Sequence, residues 1–267
     1  MLSLTVLDNK TQGFVIYRGP SLINGKPITV VVTALKRSKN EKTGDMVQVY
    51  ILANIKPTTA VYSGDDEAVC GDCIHRYVGG TGSCYVNPAH GPLGIFKGLE
   101  NNSYQYVTPE QAGDEVAGRI IRLGAYGDPA AVPIEVWDAL LAKAEGWTGY
   151  THQWRRGFAQ PHKRYCMASC ESIAHRQHAQ RKGWRTFRIR ADAADALAQG
   201  EFQCPASAEE GKRLQCEQCG ACSGGEAQRA SVAIIVHGTN WKVVRMRKMM
   251  DRMKRKQKIR NVKWSKV

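Results

Sequence analysis

Short β-branched runs mark the first part of the chain. They predict strands over residues 14–17, 28–33 and 46–52. The run over 28–33 is almost wholly apolar, which is typical of a strand buried on both faces. Residues 1–60 are therefore predicted to form a β-rich N-terminal part of the core.

Strands and helices alternate from residue 108 onward. The apolar pattern predicts strands over 119–125, 148–154, 164–169, 185–190 and 231–237, and helices over 133–144, 171–182 and 191–199. Thr108 followed by Pro109 is typical of a helix start. Strands separated by such helices indicate βαβ units and a parallel sheet. We therefore expect an α/β protein with a TIM-barrel-like parallel βα core, complete or incomplete, and an open doubly wound sheet is the alternative.

Three further segments complete the predicted organisation. Residues 61–107 are rich in Gly and Cys and show no regular period, so we expect an irregular segment ordered through its cysteines. Residues 108–241 contain the βα core together with a Cys-rich loop at 204–222. Residues 242–267 are predicted to form a separate basic tail.

Most of the positive charge lies in that tail. The chain of 267 residues has a formal net charge of +14, and residues 242–267 contain twelve Lys or Arg against a single Asp. Methionines recur there at helical spacing, which predicts a basic amphipathic helix. We expect it to bind nucleic acid through phosphate contacts. An anionic membrane, a calmodulin-like groove and a solvated extension are the alternatives. The candidate nucleic-acid residues are Arg245, Arg247, Lys248, Arg252, Lys254, Arg255 and Lys256.

The remaining composition favours an intracellular globular protein. Hydrophobic residues make up 43% of the chain, enough for a substantial core. No run approaches the roughly 18 apolar residues of a membrane span, and the N-terminus lacks the pattern of a secretory signal. We therefore expect the nine cysteines to be metal ligands or free thiols rather than disulfides.

The strongest chemical signal is the late cysteine group, which consists of Cys204, Cys216, Cys219 and Cys222. The last three form a CxxCxxC run, and Cys204 is followed by a proline. Thiolate-only ligation suits zinc and iron–sulfur clusters, and this spacing is closer to [4Fe–4S] usage. We therefore expect the group to hold a [4Fe–4S] cluster. Zinc and four unligated thiols are the alternatives.

The early cysteine group consists of Cys70, Cys73 and Cys84. With His75 or His90, these three residues would complete a zinc ligand set. They are therefore candidates for a second metal site, and ordinary packed or unligated thiols are the alternative.

Cys166 and Cys170 form a CxxxC pair within the predicted strand over 164–169 and just after it. The third cysteine of a radical-SAM motif would fall at position 173, which is Ile173. A radical-SAM cluster is therefore disfavoured. In a buried strand these thiols are expected to pack as small apolar side chains.

A polar pocket is predicted where the strands of the βα core end. Ligands of parallel βα folds bind at this edge, and the chain places Asp128, His152, Glu171 and His237 there. Such a set suits acid–base chemistry or a polar ligand. In the alternative, Asp128 caps the following helical turn and the histidines are satisfied core residues.

Characteristic segments extend over most of residues 18–240. They include GPSLINGKPI, KTGDMVQVYIL, CGDCIHR with SCYVN, GPLGIFKG, RLGAYGDPAAVP, GYTHQWR, MASCES and GWRTFRI. Together they resemble an uncharacterised protein family of bacteriophages and mobile elements. More weakly, the RLGAYGD and YTHQW strands and the late cysteine group are similar to phage proteins with a radical-SAM-like barrel. The resemblance implies a phage origin and cluster binding, but no particular reaction.

The function predicted from the sequence is a phage-type iron–sulfur protein that acts on or near nucleic acid. Its cluster would be structural or redox-sensing. One alternative is a redox or radical-type enzyme with a small substrate in the barrel mouth. The other is a zinc-stabilised scaffold protein.

Overall fold

The structure, a computed structural model, describes residues 12–38, 40–78, 82–211, 213–225 and 229–264. The side chains of residues 210 and 256–264 lie outside this description. The strands are β1 (Gly13–Pro20), β2 (Pro27–Thr33), β3 (Val47–Ala53), β4 (Gln105–Tyr106), β5 (Ile120–Tyr126), β6 (Gly146–Thr148), β7 (Tyr150–Thr151), β8 (Met167–Cys170), β9 (Thr186–Arg190), β10 (Glu201–Gln203) and β11 (Ser231–Ile235). The helices are α1 (Pro57–Ser63), α2 (Glu67–Cys70), α3 (Gly91–Glu100), α4 (Pro109–Glu115), α5 (Ile134–Leu141), α6 (Ile173–Arg181), α7 (Cys216–Cys219) and α8 (Asn240–Trp264).

The strands form two sheets. The first has six strands in the order β4-β1-β2-β3-β5-β6, with antiparallel pairing along β1-β2-β3 and parallel pairing elsewhere. The second has five strands in the order β10-β11-β9-β8-β7, and all its pairs are parallel. The prediction of an α/β protein rich in parallel strands is confirmed.

A single residue, Gly149, separates β6, an edge strand of the first sheet, from β7, an edge strand of the second. Its N–H donates to the Cys222 carbonyl at 3.1 Å, and its carbonyl accepts from the Met167 N–H at 2.9 Å. A Cβ at this position would lie only 2.8 Å from Cys166 Sγ and from the Tyr165 carbonyl oxygen. The close approach therefore requires glycine. The single strand predicted over 148–154 is instead represented by the end of β6 and the short strand β7, with Gly149 between them.

The core of the first sheet is aliphatic and is covered by α5. Val30, Val32 and Ile51 are fully buried, and Trp137 of α5 packs in the same cluster. The Trp137 indole N–H donates to the Pro129 carbonyl at 3.0 Å. The apolar spacing that predicted this helix therefore marks the face it buries.

The helix start predicted at Thr108 is also confirmed. The Thr108 hydroxyl accepts the Gln111 N–H, and the Gln111 side chain accepts the Thr108 N–H, which completes a capping box. Pro109 occupies the first helical position, where its missing N–H removes no helical hydrogen bond.

The segment over 61–107 is more regular than its sequence suggests. It contains the end of α1 and all of α2 and α3. Gly64 and Gly71 end the first two helices with φ of 88° and 57°, a left-handed conformation that glycine adopts readily. Helices as short as α2, with four residues, show no apolar period, so the pattern could not reveal them.

The helix predicted over 191–199 does not form, because neighbouring arginines bind its backbone. Arg188 Nη2 donates to the Ala196 carbonyl at 2.8 Å, and Arg190 Nη2 donates to the Ala193 carbonyl at 3.1 Å. These carbonyls would accept the helical hydrogen bonds. Tertiary contacts to β9 therefore override the helix propensity of the alanines.

The basic tail is continuous with α8, and its first half belongs to the body. Met246 and Met250 are buried against Ala191 and Val236. Lys242 is also buried, and its Nζ donates to the carbonyls of Tyr85 and Val86 at 3.3 and 3.4 Å. Among the described residues, no helix is both long and apolar enough to cross a membrane.

Candidate functional site

Three ligand-type side chains meet where β7 and β8 end. His152 follows β7, Glu171 follows β8, and His75 comes from the segment after α2. Glu171 Oε1 lies 3.3 Å from His152 Nε2 and 3.5 Å from His75 Nε2. The three ligand atoms all lie within 4.8 Å of one another, and no other such group of three His, Cys, Asp or Glu side chains occurs among the described residues.

These atoms are buried, and beyond the contacts of the two imidazoles with Glu171 Oε1 none of them makes a well-aligned hydrogen bond in the described part of the chain. They are Nε2 of His75, Nε2 of His152 and Oε1 of Glu171. Buried polar atoms are nearly always hydrogen-bonded, because an unpaired one keeps its full desolvation penalty. Three of them facing one point is therefore an arrangement typical of ligands around a cation.

Other contacts hold these ligands in orientation. Ser83 Oγ lies 2.9 Å from His75 Nδ1, which leaves Nε2 directed at Glu171. His175 Nδ1 lies 2.8 Å from Glu171 Oε2. Ser172 caps α6 by accepting the His175 N–H at 3.1 Å and so fixes the start of that helix. Outer contacts of this kind orient the ligands of known metal sites.

Asp128 positions His152 through the backbone. Its Oδ2 accepts the His152 N–H at 2.8 Å, and its Oδ1 accepts the Ala130 N–H at 3.0 Å. It thereby caps the short 3₁₀ turn at Pro129–Ala131. Asp128 is thus adjacent to the site, as predicted, and it also has the capping role of the alternative.

The electrostatics of the group favour an ionised carboxylate beside a neutral imidazole. Burial would raise the pKa of Glu171, but contacts with His152, His175 and His75 hold it well below its ordinary value. Burial lowers the pKa of His75. Burial also disfavours charge on His152, yet Cys73 and Glu171 raise its pKa well above the usual value. A metal ion would therefore displace a proton from His152 on binding.

The early cysteine group borders this cluster. The pKa of Cys84 is raised to about 11, and that of Cys70 is raised well above its usual value. Burial is the largest cause of both shifts, and the nearby Cys73 thiol is the second. In the described part of the chain, no three of these thiols lie within 4.8 Å of one another. His90 is exposed and contacts Asn87 at 3.1 Å instead. The structure therefore does not assemble the predicted second metal site from these residues.

The late cysteine group lies in another part of the molecule. Cys204 and Cys222 are buried in an apolar cluster, and Cys216 packs against it. The pKa of Cys222 is raised to about 12, mainly by burial. The hydrogen bond with Tyr150 opposes this shift, and the other three thiols add to it. Among the described residues, no three of these thiols come within 4.8 Å of one another. Ligands of one tetrahedral zinc ion are about 3.8 Å apart, so the thiols are not arranged as a zinc site.

The other predicted chemical residues lie outside both groups. His237 Nε2 lies 2.9 Å from Lys42 Nζ, and the His237 ring centroid is 5.9 Å from that of Tyr85. The predicted pocket therefore keeps Asp128, His152 and Glu171 together but not His237. Cys166 and Cys170 pack in a buried cluster with two tryptophans, as the strand pattern indicates.

The candidate nucleic-acid residues divide along α8. Five of them are exposed: Arg247, Lys248, Arg252, Lys254 and Arg255. Arg245 lies over the Trp241 ring with 5.2 Å to its centroid. Arg247 also donates to the Ala191 carbonyl at 2.9 Å, and Lys254 lies 3.9 Å from Asp195. The side chain of Lys256 lies outside the described residues.

The sequence does not place two residues of this site. It offers His75 only as a zinc ligand beside the early cysteines, and no pattern singles out His175. His175 follows Glu171 by four positions, the spacing that places two side chains on one helix face. That spacing was the available signal, whereas the approach of His75 depends on tertiary structure.

Comparison with known proteins adds no assignment to this geometry. No protein-family model matches the chain, and no curated protein or solved structure matches it.

Proposed function

We propose that this protein binds a divalent transition-metal ion through His75, His152 and Glu171, and that the ion takes part in catalysis. The observation that supports this most is the set of three buried ligand atoms that lie within 4.8 Å of one another and make no well-aligned hydrogen bond. Two imidazoles with one carboxylate form the ligand sets of catalytic zinc and non-haem iron sites.

A catalytic role is favoured over a structural one for two reasons. Three protein ligands leave a coordination position for water or substrate, whereas structural zinc usually has four protein ligands. The site also lies where parallel strands end, and the His152 side chain is 26% exposed. Such an ion activates water or polarises a carbonyl or phosphoryl oxygen. Hydrolysis is the favoured reaction class because water is its only co-reactant.

Calorimetric titration of the full chain with Zn²⁺ and Co²⁺ tests this proposal. We expect one ion per chain and at least about a hundredfold weaker binding in Glu171→Gln, which removes a ligand charge. His90→Ala is the matched control, because His90 is an exposed histidine outside the cluster. Equal affinity in the two variants, or no binding by the native chain, would overturn the proposal.

A [4Fe–4S] cluster on the late cysteine group is the second candidate function. Its support is the shared apolar cluster of Cys204, Cys216 and Cys222 and the influence of Cys219 on the Cys222 thiol. In such a cluster each thiolate binds a different iron, so a wider spacing than in a zinc site is compatible. The cluster would be structural or redox-sensing.

Anaerobic purification with iron, sulfide and zinc quantitation tests the cluster. We expect iron with sulfide and a visible absorption band, both lost in Cys219→Ser and kept in Cys170→Ser. Cys170 is a suitable control because it is fully buried in a separate cluster. Stoichiometric zinc without iron would favour the zinc-stabilised scaffold instead.

The two sheets are proposed to be parts of one incomplete TIM-like barrel. The support is the junction at Gly149, where β6 pairs with β5 and β7 pairs with β8. The strand order then continues from β3 through β5 to β9 and β11 with parallel neighbours. The barrel mouth would be the edge that carries the metal ligands. An experimental structure tests this continuity.

Nucleic acid remains a proposed partner of α8. The exposed cations of its second half are the support, because attraction to phosphate requires accessible charge. Arg252→Gln with Arg255→Gln should weaken DNA or RNA binding and reduce its salt dependence, measured by fluorescence anisotropy between about 50 and 200 mM salt. These substitutions spare Met246 and Met250, which a deletion of 242–267 would remove from the body. Unchanged binding would contradict this role.

The origin and cellular location of the protein are also part of the proposed function. The similarity to a family of bacteriophages and mobile elements favours a phage-encoded protein in the host cytoplasm. All nine cysteines are free thiols, which suits a reducing compartment.

A further inference from the structure

We propose that a basic cluster formed by Lys42, Arg122, His237 and Tyr85 binds a phosphate-type anion. The basic cluster shares no residue with the proposed metal triad, so this inference goes beyond the proposed function. Its side chains come from β5, from the turn before β3, from the segment after β11 and from the early cysteine segment.

A continuous set of contacts defines the basic cluster. Lys42 Nζ lies 2.9 Å from His237 Nε2. The His237 ring centroid is 5.9 Å from that of Tyr85, and Arg122 Nη2 donates to the Tyr85 hydroxyl at 2.7 Å. Two cationic groups and a histidine therefore surround one exposed aromatic ring.

The positive charge of the basic cluster has little local compensation. Among the ion pairs of the described residues, neither Lys42 nor Arg122 contacts a carboxylate. Glu209 acts on Lys42 only from a distance. Arg122 is half-buried. A partly desolvated guanidinium without a counter-charge is unfavourable, so an anion bound beside it would stabilise it.

Two phenols near Arg122 do not supply that counter-charge. Burial raises the pKa of Tyr50 and of Tyr150, so both hydroxyls are neutral near pH 7.

Access and donor chemistry point to phosphate. Lys42 is exposed and Tyr85 is 54% exposed, so a ligand can reach the basic cluster from solvent. The Arg122 guanidinium and the Lys42 ammonium present only donors, which match the several acceptor oxygens of a phosphate group. The Tyr85 ring would lie beside the organic part of a phosphate ester.

Titration of the full chain with inorganic phosphate, followed by calorimetry, tests the site. A chelator is included so that no metal ion at the triad binds the phosphate. We expect saturable binding that is at least about tenfold weaker in Arg122→Gln and in Lys42→Met, since each loses charge-assisted hydrogen bonds. Lys143→Met is the matched control, because Lys143 is an exposed lysine paired with Asp114 at 2.7 Å.

Two variants keep the test decisive. Arg122 is half-buried and its replacement could disturb the fold, whereas Lys42 is exposed. The proposal is overturned if the native chain does not bind phosphate, or if Lys42→Met binds it as tightly as Lys143→Met. Because the chelated protein is used, either result leaves the proposed metal triad untouched.

Discussion

The two sheets of this molecule hold their interiors together by different means. In the first sheet, the buried side chains of β2 and β3 are mostly aliphatic, and α5 adds Trp137 to the same cluster. In the second sheet, β9 places Arg188 at 1% exposure and Arg190 at 5%. Aliphatic burial stabilises without needing a particular partner. The charged interior depends on every ion having its counterpart, and the candidate metal ligands lie at the edge of this sheet.

Glu201 is the centre of that charged interior. Its side chain is fully buried and lies 2.8 Å from Arg188 Nη2 and 3.1 Å from Arg176 Nε. Arg188 also contacts Asp195 at 3.1 Å. A network of this kind tolerates the loss of a partner poorly, because the remaining charges stay buried.

Removing Glu201 should have the largest effect of the changes considered. Glu201→Ala leaves Arg188 and Arg176 without their main carboxylate, and we expect the free energy of unfolding to fall by about 3–5 kcal/mol. Urea denaturation measures it. Asp114→Ala, which breaks an exposed pair with Lys143, is the control and should change stability by about 0–1 kcal/mol. Similar losses in both would show that the buried network adds little.

An intermediate effect is expected at the edge of the second sheet. Ser83→Ala removes the contact that orients His75, so Zn²⁺ or Co²⁺ affinity should fall by about 10–100-fold. The metal-free protein should also lose about 1–3 kcal/mol of stability, because Ser83 is buried and His75 Nδ1 is left without its partner. Calorimetry and thermal unfolding separate the two quantities. A large stability loss with unchanged metal affinity would make Ser83 a structural residue only.

The smallest effect is expected in the aliphatic sheet. Ile51→Val removes one methyl group from a fully buried position, and we expect a loss of about 1 kcal/mol. Metal affinity should stay unchanged, because Ile51 touches none of the ligands. Urea denaturation with metal titration measures both quantities. A shift in metal affinity here would mean that the two sheets are energetically coupled.

The same contrast between the two sheets explains which parts of the fold could be predicted from the sequence. The strands around residues 28–33 and 46–52 follow directly from apolar runs, and the fold class follows from the later alternation of strands and helices. The strand over 185–190 is predicted as well, but its pattern does not reveal that Arg188 points into the interior. An arginine is ordinarily assigned to the surface, and the burial of Arg188 depends on the positions of both Glu201 and Asp195.

The candidate site shows the same limit. Strand ends place His152 and Glu171 at one edge, and the sequence predicts that much. The approach of His75 could not be predicted, because it depends on how the segment after α2 folds back until Cys84 N–H reaches the His75 carbonyl at 2.9 Å. Cysteine spacing predicts thiol ligands, whereas the three clustered ligand atoms belong to two histidines and a glutamate.

The glycine between β6 and β7 has a consequence for how this protein can evolve. Each sheet has its own core and can accumulate substitutions within it, but Gly149 touches the next strand so closely that even alanine would meet Cys166 Sγ at 2.8 Å. Homologous chains should therefore diverge independently on either side of position 149 while retaining glycine there. Where that glycine is replaced, a smaller residue than Cys166 should accompany the change, and the local backbone should open as well.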